Sequence, residues 1–423
     1  MELSDHLFRR EAGRMVAALT RAFGLHNLTL AEDVVQDAFC RALEVWKLRG
    51  IPENPSAWLM KTAKNRAVDV MRRERTARTF APDLGRLLLT EWTLANAVDE
   101  IFDPIGIKDD QLRMMFSCCH PRLSETAQVM LVLQLVGGFG AREVASAFVS
   151  SPAAVEKRLN RSKKTLAESG VLFDIADAAD FALRLPVVQR ALYLIFSEGY
   201  HGASARAVIR TDLCRESIRL SHLLAKHPLG AVPSTLALCA LMYLDAARLP
   251  ARLDAWGDLS SLFDQDRSRW DREMIDEGRA LLERSASGNE LSRYHVEAAI
   301  AAVHTGAPRF EETDWAAIVS LYDTLMEIAP SPVVALNRAI AVAQLRGPQS
   351  GLEAIDAVND RDRLAEYPFY YAARGELELR RKNNAIAREH FQTALALARN
   401  PVEQRFLKKR VDACKLGSTL VSK

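Results

Sequence analysis

The sequence has little excess charge, few cysteines and no long hydrophobic run. Its 423 residues carry 56 Lys and Arg against 54 Asp and Glu, a formal net charge of +2. A near-neutral chain can bind nucleic acid only through local cationic surfaces. No segment offers about 18 uninterrupted apolar residues and the N-terminus is polar, which predicts a cytoplasmic protein without a membrane span. The 6 cysteines are scattered, which indicates free thiols rather than a disulfide framework.

The sequence also lacks the alternation of apolar and polar residues that marks β-strands over more than a few positions. Helical periodicity is present nearly throughout, and a hydrophobic content of 49% is sufficient for several cores. We therefore expect an all-α fold. The predicted parts are a helical unit in 1–76, a connector in 77–108, a second helical unit in 109–172, a helical middle domain in 180–288 and helical repeats in 289–415.

Adjacent cysteines and a histidine form the one group that suggests metal binding. Cys118, Cys119 and His120 are consecutive, without the spacer of two to four residues usual in zinc sites, and no second ligand pair follows. The pattern is more typical of the end of a buried helix that Pro121 stops. We predict neither a metal nor a cofactor.

The segment DQDRSRWD, residues 264–271, concentrates charged side chains around a tryptophan. Asp264, Asp266 and Asp271 are conceivable acid–base or metal groups. Such a run is more often a salt-bridged helix start anchored by the tryptophan, here Trp270. Because nothing in the sequence requires a pocket of perturbed carboxylates, the protein is predicted not to be an enzyme.

The most informative segment is AREVASAFVSSPAAVEKRLNRSKKTL, from Ala141 to Leu166. It predicts a short helix, a tight turn and a basic second helix. Ser151 suits the N-cap of the second helix and Pro152 suits its first position, where a missing N–H costs nothing. That order is typical of a helix-turn-helix whose second helix enters a DNA groove.

The predicted second helix separates an apolar stripe from a cationic one. Its packing positions are Val155, Leu159, Ser162 and Leu166, at intervals of four, three and four residues. Its cations are Lys157, Arg158, Arg161 and Lys164. The spacing alone also suits a merely solvated basic face, and the capped turn favours the interpretation as a DNA reader.

The first helical unit holds an acidic helix followed by a basic one. Residues 28–46 place apolar positions among acids, so this helix could dock on a partner. In residues 56–75 the packing face includes Leu59, Ala63 and Ala67, while Lys61, Lys64, Asn65 and Arg72 fall elsewhere. Two linked basic units suit a protein that touches two DNA sites at once.

Segments Leu28 to Arg75 and Asp109 to Leu166 resemble regions two and four of the extracytoplasmic-function sigma factors, promoter-recognition subunits of bacterial RNA polymerase. The runs DDQLRMMFSCCHPRLS and LVGGFGAREVASAF resemble the subgroup with a C-terminal tetratricopeptide-type extension.

The resemblance implies core RNA polymerase and promoter DNA as partners, and it implies roles for individual residues. Trp58 would belong to the core of region two. The helix that binds the polymerase clamp would present Asp33, Val34, Val35, Gln36, Asp37 and Phe39. The residues facing the minus-ten element would be Lys61, Lys64, Asn65, Arg66, Arg72 and Arg73. Region four would read the minus-thirty-five element with Ser151, Ala154, Lys157, Arg158 and Arg161, in the major groove.

The C-terminal half is charge-balanced, with 32 basic and 33 acidic residues after position 170. Small and aromatic residues in it match tetratricopeptide spacing: Tyr371, Gly375, Ala387, Phe391 and Ala394. Such solenoids typically bind proteins or peptides along a concave face. We expect this half to bind such a partner or to regulate the first half.

The sequence therefore predicts a sigma factor that directs polymerase to specific promoters. The alternative is a stand-alone helix-turn-helix regulator with a helical-repeat sensor domain, which would bind operators without polymerase. The first basic unit argues against the alternative, because an isolated regulator does not need it.

Overall fold

The computed structural model describes residues 2–73, 107–148, 150–168, 177–201, 209–398 and 400–419. In this part of the chain the secondary structure is α-helix and short 3-10 turns, with one isolated antiparallel bridge between Leu253 and Leu259 and no strand. The all-α expectation is confirmed. None of the helices in the described ranges is both long and apolar enough to span a bilayer.

The chain forms two compact units. The first comprises Met1–Ile195 with Lys226–Gly230, and the second comprises Phe196–Ala225 with Ala231–Lys423. Part of the predicted connector, residues 77–106, lies outside the described residues.

Three helices open the first unit: α1 (Glu2–Phe23), α2 (Leu28–Arg49) and α3 (Pro55–Arg73). They pack through small side chains that allow the helix axes to approach closely. Six alanines are fully buried in this bundle: Ala17, Ala31, Ala38, Ala42, Ala63 and Ala67. Trp58 is half-buried, and its ring lies 5.5 Å from that of Trp46.

Four further helices of the first unit are α4 (Asp110–Cys118), α5 (Glu125–Leu135), α6 (Ala141–Ala147) and α7 (Pro152–Glu168). Polar side chains fix where they begin: Asp109 accepts from the amides of Gln111 and Leu112, and Ser124 accepts from that of Ala127. These bonds satisfy backbone donors that an α-helix leaves without partners.

A glycine permits close contact between the opening bundle and these helices. A Cβ atom at Gly13 of α1 would lie 2.5 Å from the carbonyl oxygen of Val136, just after α5. Any larger side chain at this position would force the two helices apart.

The chain then passes through α8 (Ala178–His201), which begins in the first unit and ends in the second. The second unit continues with α9 (Thr211–Lys226), α10 (Pro233–Ala246), α11 (Arg272–Ser285), α12 (Arg293–Gly306) and α13 (Trp315–Ile328). Its remaining helices are α14 (Pro332–Arg346), α15 (Pro348–Asp356), α16 (Pro368–Arg380), α17 (Asn384–Leu397) and α18 (Pro401–Thr419).

Proline defines many helix starts in this molecule. It suits the first helical position because its fixed φ is helical and its absent N–H would have no intrahelical partner. The helices of the described part that begin at a proline are α3, α7, α10, α14, α15, α16 and α18.

The later helices of the second unit pack in a row. One apolar cluster joins α12, α13 and α14, the next joins α14, α15 and α16, and a third joins α17 and α18. Between α16 and α17, a Cβ atom at Gly375 would lie 3.0 Å from the ring of Phe391. Each helix contacts mainly its neighbours in sequence, as in solenoid architectures.

Candidate nucleic-acid interface

Helix α7 buries one side and exposes a cationic one. Its buried residues are the four predicted ones: Val155, Leu159, Ser162 and Leu166. The hydroxyl of Ser162 donates to the carbonyl oxygen of Arg158 at 2.9 Å, which allows a polar residue in this stripe. The exposed residues of the opposite side include Ser151, Ala154, Lys157, Arg158, Arg161 and Lys164.

The N-terminus of α7 is capped as the sequence indicates. The Oγ atom of Ser151 accepts from the amide of Ala154 at 3.3 Å, and Pro152 occupies the first helical position. Together with α6 before it, this gives the helix-turn-helix order expected from the sequence.

One lysine of α7 lies away from the exposed cationic side. The Nζ atom of Lys163 donates to Glu32 of α2 at 2.7 Å, and the two side chains are only 13% and 24% exposed. This pair joins the helix-turn-helix to the opening bundle within the first unit. Lys163 therefore serves packing between helices, whereas Lys157 and Arg158 face solvent.

Helix α3 offers a smaller cationic surface. Its buried positions include Leu59, Ala63 and Ala67, all 0% exposed, as the spacing predicts. Lys61 and Asn65 are exposed.

Among the other residues on α3 predicted to contact DNA are a half-buried lysine and two arginines whose side chains the structure does not describe. Lys64 is half-buried, and this desolvation lowers its pKa. Arg72 and Arg73 belong to α3, but their side chains lie outside the described part of the chain.

The structure brings together one residue predicted to face DNA and one predicted to face polymerase. The Nε atom of Arg66 on α3 donates to Oδ2 of Asp37 on α2 at 2.7 Å. Both side chains remain about half exposed, at 42% and 51%. The carboxylate of Asp37 beside this guanidinium offsets part of the attraction that Arg66 would offer to a phosphate.

Two of the residues expected to contact polymerase are buried on α2, which corrects their predicted role. Val34 and Val35 are 1% and 3% exposed, because they lie on the side of α2 that packs into the bundle. They support the helix and present no surface to a partner. Asp33, Gln36 and Asp37 are exposed, and Phe39 is half-buried.

Sequence reasoning missed three exposed apolar residues at the end of α2. Leu43 is 55% exposed, Leu48 is 85% exposed and Ile51, just beyond the helix, is 58% exposed. The signal was available in the helical phase, because these residues fall outside the stripe formed by Ala38, Ala42 and Trp46. Exposed apolar residues next to acidic ones are typical of a protein-binding surface.

The cysteine–histidine group lies at the end of α4, as predicted. Cys118 and Cys119 are buried, and burial raises the pKa of Cys118 to about 12 and that of Cys119 well above its usual range. Burial also lowers the pKa of His120. In the described ranges, no three His, Cys, Asp or Glu side chains are grouped to hold a metal ion.

Two of the three acids of DQDRSRWD serve as helix caps. Asp266 accepts from the amide of Ser268, and Asp271 accepts from that of Met274 at the start of α11. The hydrogen bonds from Ser268 lower the pKa of Asp266, the opposite of the shift that a general acid needs. Trp270 is 3% exposed and anchors the segment, which confirms the predicted helix start, whereas within the described residues these acids form no ion pair.

Comparisons with known proteins identify two parts of the chain. Residues 7–77 match the family described as Sigma-70 region 2, and residues 184–286 match a family of unknown function, DUF6596. An uncharacterised protein of Rhizobium meliloti is 39% identical over 399 residues, which cover 94% of this chain and 92% of that protein. No solved structure matches.

Sigma-70 family factors bind core RNA polymerase and promoter DNA and are not enzymes. The match to region 2 covers α1, α2 and α3, the helices that carry the acidic and basic surfaces described above. The chain is therefore of the same family as the Rhizobium meliloti protein over almost its whole length, and its N-terminal helices match Sigma-70 region 2.

Proposed function

We propose that this chain is a sigma factor of the extracytoplasmic-function type, which directs core RNA polymerase to particular promoters. One observation carries the proposal: within a single structural unit, α7 exposes a cationic side and α2 exposes an acidic and apolar one. The first suits DNA and the second suits a protein partner.

Helix α7 is proposed to read the minus-thirty-five element from the major groove. Arginine can bond a guanine edge with two parallel hydrogen bonds, which makes Arg158 and Arg161 candidates for base contacts. Lysine more often anchors a phosphate, the role proposed for Lys157 and Lys164. The N-terminal turn, with Ser151 and Ala154, would lie deepest in the groove.

Helix α3 is proposed to bind the minus-ten element. Lys61 and Asn65 are exposed and can contact a phosphate and a base edge. Capture of an unpaired base offsets an unstacking cost of a few kcal/mol, so melting is biased towards one sequence.

Helix α2 is proposed to dock on core polymerase. The docking surface consists of Asp33 and Gln36 together with Leu43, Leu48 and Ile51. The apolar residues at the end of α2 would be desolvated on binding, while the exposed acid nearer its start would orient the encounter with a cationic partner surface.

The second unit is proposed to be a tetratricopeptide-type extension that regulates the first or binds a protein partner. Support comes from the row of paired helices and from the contact of Gly375 with Phe391, at two of the positions that the sequence matches to the repeat.

Polymerase docking can be tested with three variants of the full chain. Leu48→Ser and Asp33→Lys should each weaken binding to purified core polymerase at least tenfold, measured by fluorescence anisotropy of the labelled chain. Leu183→Ser is the matched control, because Leu183 is also exposed, at 67%, but lies on α8.

Two results would count against this docking surface. One is unchanged polymerase affinity for both α2 variants. The other is an equal loss of affinity in the Leu183→Ser control. Circular dichroism should show the same helical content in all three proteins, since exposed substitutions usually change stability by less than about 0.5 kcal/mol.

A further inference from the structure

Beyond promoter recognition, the second unit contains a cluster of arginines and aromatic rings in its interior. The guanidinium of Arg267 lies 4.8 Å from the centroid of the Trp270 ring, and that of Arg248 lies 5.7 Å from the same ring. A third guanidinium, that of Arg252, lies 4.1 Å from the ring of Tyr200. His304 is electrostatically coupled to both Arg248 and Arg267.

Several polar atoms of this cluster are buried without a hydrogen-bond partner among the described residues. They are Nε of Arg248, Nε of Arg267, Nε1 of Trp270, Nδ1 of His304 and the hydroxyl of Tyr200. The whole residues Arg267, Trp270 and Tyr200 are only 6%, 3% and 3% exposed. A buried donor left unpaired costs about 1–3 kcal/mol, more for a charged group. The Nε–H groups of the two arginines and the indole N–H can only donate, so these three atoms need acceptors, whereas Nδ1 of His304 and the Tyr200 hydroxyl can also accept.

Negative charge near the cluster is limited: among the described residues Arg248 is the one guanidinium of the three with a carboxylate within 4 Å, and Glu311 acts on Arg267 only electrostatically. The nearest carboxylate to Arg248 is that of Asp245, at a loose 3.6 Å, and desolvation raises the pKa of Asp245. Glu297 is bonded to Arg293 at 2.6 Å. Two guanidinium groups held beside one indole repel each other unless an anion lies near both.

Arg267 has a structural task that fixes its position. Its Nη1 atom donates to the carbonyl oxygens of His304 and Ala307 at 3.0 and 2.7 Å, and its Nη2 atom donates to Thr313 at 3.2 Å. These bonds leave only Nε to serve a ligand. Arg248 is held less tightly, and its side chain keeps 14% of its surface exposed, beside Asp245 with 24%. The cluster is therefore preorganised around Arg267, while Arg248 and Asp245 keep a small exposed surface.

We propose that Arg248, Arg267, Trp270 and their neighbours form a binding site for a small molecule that carries a carboxylate or phosphate group. The oxyanion would accept from the Nε–H groups of both arginines and from the indole N–H. It would supply acceptors for these three donors and would add negative charge beside the arginines. Charge-assisted bonds of this kind are roughly twice as strong as neutral ones.

The test is calorimetric titration of the full chain with inorganic phosphate and, separately, with succinate, in sodium chloride of matched ionic strength. At least one anion should bind with one-to-one stoichiometry. Binding of phosphate alone would assign a phosphate ester, and binding of succinate alone a carboxylate. Binding of both would assign an oxyanion site without strong preference.

Variants identify the site. Arg248→Gln should reduce affinity for the bound anion at least tenfold. Arg309→Gln is the matched control, because Arg309 belongs to the same unit, is 78% exposed and should leave affinity unchanged. The bound anion should also raise the unfolding temperature of the wild-type chain, a readout that remains if Arg248→Gln does not fold.

The proposal is wrong if neither anion binds beyond the chloride baseline. It is also wrong if folded Arg248→Gln binds like the wild type. Binding is measured without polymerase or DNA, so a negative result would leave the proposed promoter recognition untouched.

Discussion

At the scale of single residues, His304 gives the second unit a dependence on pH. Burial, and then the nearby Arg248 and Arg267, lower its pKa to about 3 from the ordinary 6.5. The folded state thus binds fewer protons than the unfolded state between these values. The contribution of His304 to the free energy of unfolding is fully present above the unfolded pKa of 6.5 and is lost as the pH falls towards the folded value of about 3.

This pKa shift predicts that the free energy of unfolding changes measurably with pH. Lowering the pH from 7 to 5 should reduce the free energy of unfolding by about 1 to 2 kcal/mol through His304 alone. Urea unfolding of the wild type and of His304→Gln at both pH values isolates this contribution. The variant should show the smaller loss on acidification, and equal losses in the two proteins would contradict the assignment.

Features that depend on residues close in sequence, such as helix caps, were predictable, whereas ion pairs between distant residues were not. Ser151 and Pro152 mark the start of α7 because capping depends on residues within one turn of the helix. The pair between Arg66 and Asp37 joins residues 29 positions apart, so it depends on how α2 and α3 pack. No property of either residue alone indicates it.

At the scale of helices, the pair between Glu32 and Lys163 links α2 to α7. Because the two side chains are only 24% and 13% exposed, water screens the pair weakly. A double-mutant cycle with Glu32→Gln and Lys163→Met should give a coupling energy of about 1 kcal/mol in urea unfolding.

The chain contains a matched comparison on α7 itself. Lys164 and Glu168 are 3.7 Å apart with side chains 76% and 64% exposed. The same cycle with Glu168→Gln and Lys164→Met should give a coupling below about 0.5 kcal/mol, since exposed pairs contribute little. Equal coupling in both cycles would mean that the first pair is not the link that the structure indicates.

The composition of α2 was a good guide to its exposed acids and a poor guide to its exposed apolar residues. Asp33 and Asp37 are exposed, as charge alone suggests. Val34 and Val35 are buried while Leu43 and Leu48 are exposed, because the bundle selects residues by helical phase as well as by hydrophobicity. Alanines take the central positions that a larger apolar residue would normally occupy.

At the scale of the whole molecule, the net charge is near neutral although the chain carries separate cationic and acidic surfaces. The exposed cations of α7 and the exposed acids and leucines of α2 all lie in the first unit. The all-α class was predictable because helical periodicity persists along the chain. The interior arginine cluster was not, because it gathers residues from Tyr200 to His304 that only tertiary packing brings together.

The most direct test of promoter recognition is transcription by purified core polymerase, with and without the full chain, on a library of promoter sequences. We predict initiation on a small subset that core polymerase alone does not use. We also predict that Arg158→Ala relaxes the preference in the minus-thirty-five element, by about 1–3 kcal/mol at the contacted base pair. Tight sequence-specific DNA binding by the chain alone, with no effect on initiation by polymerase, would contradict the account and indicate a stand-alone regulator.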